Sequence, residues 1–193
     1  MNSEKKRILG LDISTSVLGL TIVEGNKETC DIVYMNHIEF KDCSDMWEKV
    51  EKFARFLESV TNDNPLCLNA VYVEDALMRF RPGFSSANTI MVLVKFNALC
   101  SFQARNHFSM NPKFVASQSA RKLCGIKTKS KKICGKVVKE QVFDWAVAGP
   151  LKDRKFEMTR TGKYKPWNYD EVDSYVVARA GLVAESLNTK VEK

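Results

Sequence analysis

Four acidic residues occupy positions where a carboxylate could do chemistry: Asp12, Glu74, Asp170 and Asp173. The first interrupts the apolar run of residues 8–13, which is typical of a buried strand. The second closes a similar run over residues 68–75, and the last two share one face of the final predicted helix. A buried carboxylate costs free energy unless it is paired, hydrogen-bonded or bound to a metal, so these positions need an explanation.

Each acid taken alone has an ordinary explanation. Hydroxyl groups of residues 14–16 could satisfy Asp12, and a helix dipole stabilises acids in a first turn. Their combination is more informative. If the fourth strand lies parallel to the first, Asp12 and Glu74 become neighbours, and a closing helix packed on the sheet brings the other two acids there. Four carboxylates so placed would repel each other and raise one another's pKa.

Divalent cations with a preference for hard oxygen ligands, Mg²⁺ or Mn²⁺, remove that conflict. Two such ions about 4 Å apart can activate a water and stabilise the leaving oxygen in phosphodiester cleavage. The four acids together therefore predict a two-metal nuclease centre.

The distribution of charge favours a polyanionic partner. The chain of 193 residues has a formal net charge of +7, and residues 113–165 hold 15 Lys or Arg against 4 Asp or Glu. A basic region on an otherwise mildly acidic body is typical of a nucleic-acid-binding face, although a solvated lysine-rich surface has the same composition. The candidate DNA-binding residues here are Lys127, Lys129, Lys131, Lys132, Lys136, Lys155, Arg160 and Lys163.

A second candidate contact follows the fourth strand, where arginines alternate with aromatic residues: Arg79, Phe80, Arg81 and Phe84. Arginine can contact phosphates while an aromatic ring stacks on a base. The alternative is a loop whose phenylalanines tuck beneath it. The third candidate DNA contact is the long polar connection over residues 151–167. This basic loop is either an ordered DNA-binding loop or a mobile segment.

Composition excludes several other classes. The length suits one domain over residues 1–193, and no apolar run is long enough to span a membrane. The charged start of the chain argues against a secretory signal. Six scattered cysteines without a CxxC pair, and only two histidines, argue against a zinc site and for free thiols. We expect an intracellular protein, in the cytoplasm or associated with the nucleoid.

Hydrophobic periodicity and capping residues predict the order of elements. Three antiparallel strands precede a helix capped by Ser44, and a fourth strand leads into a long helix that should be the most buried one. A short strand and a brief helix capped by Ser117 follow. The last two helices are one that ends at Gly149 and one capped by Asn168.

This order, with an acid in the first strand, is similar to the ribonuclease H-like fold. Within it the chain resembles the RuvC-type Holliday junction resolvases, in GLDISTSVLGLTIVE, in VYVED and in DEVDSYVVARA. The opening is also similar to the first RuvC segment of RNA-guided DNA nucleases. The resemblance covers nearly the whole chain and implies an α/β fold. Its five-stranded mixed sheet would have three antiparallel strands, then parallel ones, and helices on both faces.

The resemblance also implies roles. The four metal-binding acids of the family fall on Asp12, Glu74, Asp170 and Asp173, and its lysine near the scissile phosphate falls on Lys139 in VKEQV. The implied cofactor is Mg²⁺, two ions per active site, with Mn²⁺ able to substitute. The implied protein is a homodimer that binds a four-way DNA junction and nicks two strands symmetrically, leaving 5′-phosphates. The exposed face of the helix over residues 86–107 would contribute to the dimer.

The chain departs from the family pattern in four places. The turn before the lysine is the longer GIKTKSKKICGK, so Lys132 or Lys136 could take the role of Lys139. The aromatic residue expected near Leu77 is absent, Ser174 stands where alanine is more usual, and the connection over residues 151–167 is long. These departures indicate a divergent branch such as a viral or phage one, for which the compartment would be the host cytoplasm.

Three alternatives stay open on sequence grounds. A related nuclease that cuts flaps, branched replication intermediates or RNA would need the same four acids. An actin-like ATPase shares the opening of aspartate, hydroxyl residues and glycine, but it needs a second domain and a second phosphate loop. A non-catalytic DNA-binding protein would have lost the chemistry. A proofreading-type exonuclease is disfavoured because its first strand needs Asp-x-Glu and residue 14 is serine.

Overall fold

The computed structural model describes residues 5–63, 67–76 and 87–188. Its centre is a five-stranded sheet in the order β3-β2-β1-β4-β5. The strands are β1 (Lys6–Ile13), β2 (Val17–Gly25), β3 (Cys30–Glu39), β4 (Ala70–Glu74) and β5 (Lys113–Val115). The first three are antiparallel neighbours, whereas β4 and β5 continue the sheet in parallel. The predicted mixed sheet is confirmed.

Helices cover both faces of this sheet. They are α1 (Met46–Asp63), α2 (Ala87–Phe108), α3 (Ser117–Leu123), α4 (Lys131–Cys134), α5 (Val138–Ala148) and α6 (Trp167–Asn188). One core lies between the sheet and α1 with α2, and a second lies between the sheet and α3, α5 and α6. No helix in the described ranges is long and apolar enough to cross a bilayer.

Strand periodicity separates the two cores. Leu9, Leu11 and Ile13 of β1 face α1 and α2, because successive side chains of a strand point to opposite faces of the sheet. Ile8 therefore faces α6, and Gly10 and Asp12 share that side. The interruption of an apolar strand by an acid thus places one carboxylate against the last helix.

All three predicted caps are wrong by a residue or more. Asp45 caps α1, since its Oδ1 accepts hydrogen bonds from the backbone N–H groups of Trp47 (2.7 Å) and Glu48 (2.9 Å). Helix α3 follows Ala116, which leaves the hydroxyl of Ser117 free for another partner. Asn168 lies inside the first turn of α6, where its amide donates to the carbonyl oxygen of Glu157 at 2.7 Å.

The most buried helix is α6, not the predicted α2. Helix α2 leaves Met91, Val92 and Phe102 exposed, although its sequence is apolar nearly all round. The central residues of α6, from Ser174 to Ala178, are all buried because α6 crosses the middle strands of the sheet. Apolar composition alone did not distinguish a covered helix from one with an open side.

The long connection between α5 and α6 is an ordered hairpin. Met158 and Tyr164 form a β-bridge, and the N–H of Thr159 donates to the carbonyl of Lys163 at 2.7 Å. The tip turns at Gly162, whose φ of 74° suits glycine. Residues 157–165 thus form a hydrogen-bonded hairpin, and binding of DNA by the loop over residues 151–167 stays a prediction.

Candidate active site

The site depends on an unusually close contact between α6 and the sheet. A Cβ added at Gly10 would lie 2.6 Å from the carbonyl oxygen of Ser174, and one added at Gly19 would lie 2.6 Å from the carbonyl carbon of Asp170. No larger residue fits at either position without displacing backbone. Glycine on β1 and β2 therefore lets the first turns of α6 rest directly on the strands.

Register and strand parity bring the other two acids to the same place. Leu11 of β1 pairs with Val73 of β4 in the parallel ladder, so the next residues, Asp12 and Glu74, leave these strands side by side. Because side chains alternate, both point to the face covered by α6. The charges of Glu74, Asp173 and Asp170 all act on Asp12. The structure therefore gathers the four predicted acids at one sheet end.

Lys139 is the cation of this cluster. It lies in the first turn of α5, and its Nζ is 2.6 Å from Oδ1 of Asp170 and 3.5 Å from Oδ2 of Asp173. Of the three lysines that the sequence left open, Lys136 instead pairs with Asp144 at 2.6 Å, and Lys132 is exposed on α4. The structure thus places Lys139 beside the acids.

Burial and repulsion oppose ionisation of these carboxyls. Desolvation, followed by the charges of Glu74 and Asp173, raises the pKa of Asp12 well above its ordinary value. Desolvation likewise raises the pKa of Asp173 to about 7, against the opposing effect of Lys139. Burial would by itself lower the pKa of Lys139, but the carboxylates of Asp173, Asp170 and Asp12 raise it above its usual range. The cluster holds more negative charge than one ammonium balances.

Glu74 has partners that the sequence did not indicate. The hydroxyl of Ser117 donates to its carboxylate, and the side-chain amide of Asn97 donates to its backbone carbonyl at 3.0 Å. Burial raises the pKa of Glu74, while the Ser117 hydrogen bond and the charge of Arg121 lower it. Helices α2 and α3 therefore fix the end of β4 and orient its acid.

A polar network holds the start of α6. Glu171, between the two acids of the helix, is buried, and it accepts hydrogen bonds from Nδ1 of His37 at 2.8 Å and from Arg154 at 3.2 Å. The hydroxyls of Thr21 and Ser174 are 2.7 Å apart, and Ser174 donates to the carbonyl of Glu171 at 2.7 Å. The serine that replaces the usual alanine thus has a partner on β2.

Aromatic residues fix the basic hairpin beside the same helix. Phe143 of α5 contacts the rings of Phe156, Tyr164 and Tyr169, with centroids 4.6–5.0 Å apart. Tyr169 immediately precedes Asp170, so the base of the hairpin and the first acid of α6 rest on one aromatic cluster.

Eight of the twelve candidate DNA-binding residues lie in the described part of the chain, and all eight are exposed. Five of them, Lys127, Lys129, Lys131, Lys132 and Lys136, are exposed on the stretch between α3 and α5. Lys155, Arg160 and Lys163 are exposed on the hairpin. The remaining candidates, Arg79, Phe80, Arg81 and Phe84, lie outside the described residues.

A basic cleft was not singled out by sequence. It has a volume of about 390 Å³ and is lined by Arg121 and Lys122 of α3 and by Lys127 and Val138. Of its basic residues, only Lys127 was a candidate from the sequence. The available signal for Arg121 and Lys122 was the excess of positive charge in residues 113–165. The sequence indicates Ser117 only as a helix cap, so its hydrogen bond to the carboxylate of Glu74 was not predicted.

The donor set fits a hard divalent cation in its chemistry. All four acids offer the carboxylate oxygens that such cations prefer. Burial first, and then repulsion between neighbouring carboxylates, raises the pKa values of Asp12, Glu74 and Asp173, and a bound cation would relieve that repulsion. Within the described part of the chain, no three Asp, Glu, His or Cys side chains are drawn together closely enough to hold one ion as they stand. Lys139 lies between Asp170 and Asp173 in this arrangement.

Comparison with known proteins rests on structure. No protein-family model matches the chain, and no curated protein matches its sequence. RuvC of Thermus thermophilus in complex with a Holliday junction substrate aligns with a TM-score of 0.63 and 14% identity, over 95% of this chain and 97% of that one. A second T. thermophilus RuvC structure covers the same shares with a TM-score of 0.60 and 16% identity.

The fowlpox virus Holliday junction resolvase aligns over 94% of this chain and 99% of that one at 14% identity, but its TM-score of 0.42 is too low to support an argument. The RuvC alignments span nearly the whole of both chains, so the likeness extends over the five-stranded sheet and its flanking helices. The chain therefore has the ribonuclease H-like fold of RuvC.

Proposed function

We propose that the protein is a divalent-cation-dependent endonuclease that resolves branched DNA, with four-way junctions as its substrate. The observation that carries this proposal is the meeting of Asp12, Glu74, Asp170 and Asp173 beside Lys139 on a RuvC-like fold. Burial raises the pKa values of Asp12, Glu74 and Asp173. A cluster of buried acids has no structural advantage, because apolar residues would pack there at lower cost.

In this proposal the four acids hold two Mg²⁺ ions, and Mn²⁺ can substitute. Such ions, when bound, make a water nucleophilic and stabilise the oxygen that leaves a phosphodiester. Lys139 keeps its ammonium charged and orients Asp170, and it lies where it could contact a non-bridging phosphate oxygen. Ser117 and Asn97 orient Glu74 from the other side. Cleavage leaves 5′-phosphates.

The surroundings favour DNA with more than one arm. Exposed basic residues lie on two separate stretches: the lysine-rich stretch before α5, which is hydrogen-bonded to Gln141 of that helix, and the hairpin before α6, whose Tyr164 packs on Phe143 of α5. The T. thermophilus RuvC that aligns here was solved with a Holliday junction substrate. A single duplex arm needs only one basic surface, whereas two separate basic stretches attached to the helices of the site suit two arms of a junction.

Paired nicks require two centres, so we propose a homodimer. The exposed apolar residues Met91, Val92 and Phe102 on α2 lie across the sheet from the acids and offer a surface for a second copy. A twofold dimer matches the twofold symmetry of a junction and presents its two sites to opposed strands.

The deciding experiment is a cleavage assay on labelled four-way junctions with and without Mg²⁺, in which both nicks are mapped. We expect Mg²⁺-dependent, symmetric nicks, no cutting by Asp12→Asn, and little cutting of linear duplex of the same sequence. Preferential cutting of flaps or of RNA–DNA hybrids would reassign the substrate, and equal cutting of linear duplex would overturn junction selectivity. Junction binding without cleavage under any divalent cation would leave a non-catalytic binding protein, whereas stabilisation by ATP would support the actin-like alternative.

A further inference from the structure

The stretch between α3 and α5 lacks the usual means of fixing a loop. Every residue from Lys127 to Val137 is exposed, and this range is called the lysine segment below. Ile126, immediately before it, is buried with 8% exposed, but within the segment Ile133 is 74% exposed. Burial of apolar side chains therefore does not hold the segment in place, and polar contacts must do so.

One side chain of α5 supplies most of those contacts. Oε1 of Gln141 accepts a hydrogen bond from the backbone N–H of Lys129 at 2.8 Å. Its Nε2 donates to the carbonyl oxygen of Lys129 at 2.9 Å and to that of Lys136 at 3.0 Å. The amide thus pairs with both backbone groups of one lysine and with the carbonyl of another at the far end of α4, using its acceptor and both donors.

The anchor itself is rigid. Val142, the next residue of α5, is buried at 1% exposed, so the backbone that carries Gln141 belongs to the core. Two residues before it, Lys139 reaches Asp170. A single helical turn therefore fixes the position of the lysine segment relative to the acids.

Each remaining contact of the segment reaches only one end of it or stays within it. The backbone N–H of Val137 donates to Oε2 of Glu140, on α5, at 2.8 Å. The ion pair of Lys136 with Asp144 is half-exposed on both sides, and such pairs contribute little to stability. The thiol of Cys134 lies 3.4 Å from the carbonyl of Lys136 and 3.5 Å from that of Ser130, which are weak hydrogen bonds. Gly135, with φ of 75°, ends α4. None of these links both ends of the segment to the core.

We infer that Gln141 is a positioning residue for substrate binding, which holds the lysine segment as a preordered array of ammonium groups facing DNA phosphates. The inference rests on the proposed function, since it concerns how that DNA is bound. Gln141 itself carries no charge and makes no contact that chemistry requires. Its effect is to remove the entropy cost of ordering the segment when DNA binds.

This role has a distinctive signature in the salt dependence. The number of phosphates neutralised by lysines sets the slope of log affinity against log salt concentration. Loss of Gln141 changes no charge, so the slope should stay constant while the affinity falls at every salt concentration. Loss of lysines should instead reduce the slope.

The test uses two full-length variants that stay uncharged: Gln141→Leu, which removes the amide, and Gln141→Met, which keeps the length of the side chain but offers neither the amide protons nor the amide oxygen. The control is Asn62→Ala, at an exposed position of α1 across the sheet. Binding of a fluorescent four-way junction is measured in EDTA from low to moderate salt, beside initial rates of tryptic cleavage at Lys129, Lys131, Lys132 and Lys136 without DNA. The melting temperature of each variant is recorded to exclude unfolding.

We expect both Gln141 variants to bind the junction about tenfold more weakly at each salt concentration with an unchanged slope, the scale of one hydrogen bond's net contribution. Trypsin should cut their lysine segments about tenfold faster, while Asn62→Ala behaves as wild type. Unchanged affinity and unchanged proteolysis in the Gln141 variants would overturn the inference, as would a reduced salt slope. Failure of the wild type to bind branched DNA would overturn the proposed function instead, and the proteolysis would still decide whether Gln141 fixes the segment.

Discussion

Gly10 of β1 packs directly against the backbone of Ala178 of α6, with no space for a side chain between strand and helix. This contact lets α6 approach the sheet closely enough for Asp170 and Asp173 to reach the acids of β1 and β4. The position of a helix, and with it the position of two carboxylates, depends on the absence of one methyl group.

Gly10→Ala should therefore displace α6. We expect a loss of about 1–3 kcal/mol of stability, the range of overpacked cores, because the new methyl meets backbone and not a flexible side chain. The rate of junction cleavage by Gly10→Ala should fall by more than its loss of stability alone explains. Gly162→Ala is the comparison, since it costs only the strain of a left-handed residue at an exposed tip. Denaturant unfolding measures the free energy of unfolding of both variants. Equal losses of that free energy would contradict the argument that Gly10 is in close contact with α6.

Asp12→Asn and Asp173→Asn should each reduce junction cleavage by at least about 100-fold, the scale of removing one element of a preorganised charged site. Junction binding should stay intact or tighten, because each change removes a negative charge that repels phosphate. Asp31→Asn, an exposed acid on β3, is the control for charge alone. Gel-shift and cleavage assays on one junction separate the effect on binding from the effect on cleavage. Cleavage by the double mutant with both Asp12→Asn and Asp173→Asn would contradict the assignment of these acids to a metal site.

Stability without divalent cations should fall as the pH rises from about 4 to 7. Asp173 has its pKa raised to about 7 in the folded protein, so the folded state binds a proton more strongly than the unfolded state does. The stabilising effect of that proton is present at low pH and is lost as the pH passes 7. The raised pKa values of Asp12 and Glu74 act in the same direction.

Melting temperatures in EDTA and in MgCl₂ across this pH range check the linkage. Magnesium should stabilise the protein more at pH 8 than at pH 5, because its ligands must be deprotonated. Asp173→Asn should flatten the EDTA profile, whereas Asp31→Asn should leave it unchanged. A wild-type melting temperature that rises from pH 4 to 7 in EDTA would contradict the predicted fall in stability.

Lys139→Met should make the protein depend on added cations. The ammonium that balances Asp170 and Asp173 is lost, so the melting temperature in EDTA should fall and the gain on adding Mg²⁺ should exceed that of the wild type. Cleavage should fall as well. Lys41→Met, whose ion pair with Glu39 is exposed, serves as the control. If Mg²⁺ raised the melting temperature of Lys139→Met and of the wild type equally, Lys139 would not balance the negative charge of Asp170 and Asp173.

Replacement of Lys129, Lys131 and Lys132 by glutamine should weaken junction binding and flatten its salt dependence. Each lost phosphate contact reduces the slope of log affinity against log salt by about 0.9. Replacement of Lys5, Lys27 and Lys41, which lie near β1 to β3, removes the same charge elsewhere. Fluorescence anisotropy over a salt series measures both sets. An unaffected slope in the first set would make the segment only a solvated surface.

Local sequence determined the elements and the identity of the four acids. Period-two and helical patterns, with glycine and proline at the turns, are properties of neighbouring residues, so strands such as residues 8–13 and the fold class could be predicted from them. The acid within an apolar strand was visible for the same reason. The caps were wrong because Ser117 and Asn168 use their polar groups on distant partners, Glu74 and Glu157, which no local pattern reveals.

Only the tertiary structure decided which side chains meet. The choice of Lys139 over Lys132 and Lys136, the orientation of Glu74 by Ser117 and the hold of Gln141 on the lysine segment all join residues from different elements. Such contacts depend on how closely α5 and α6 approach the sheet, which is set by packing at Gly10 and Gly19 and not by any spacing along the chain. Sequence supplies the chemical groups, and the packing distance between helix and sheet determines which of them interact.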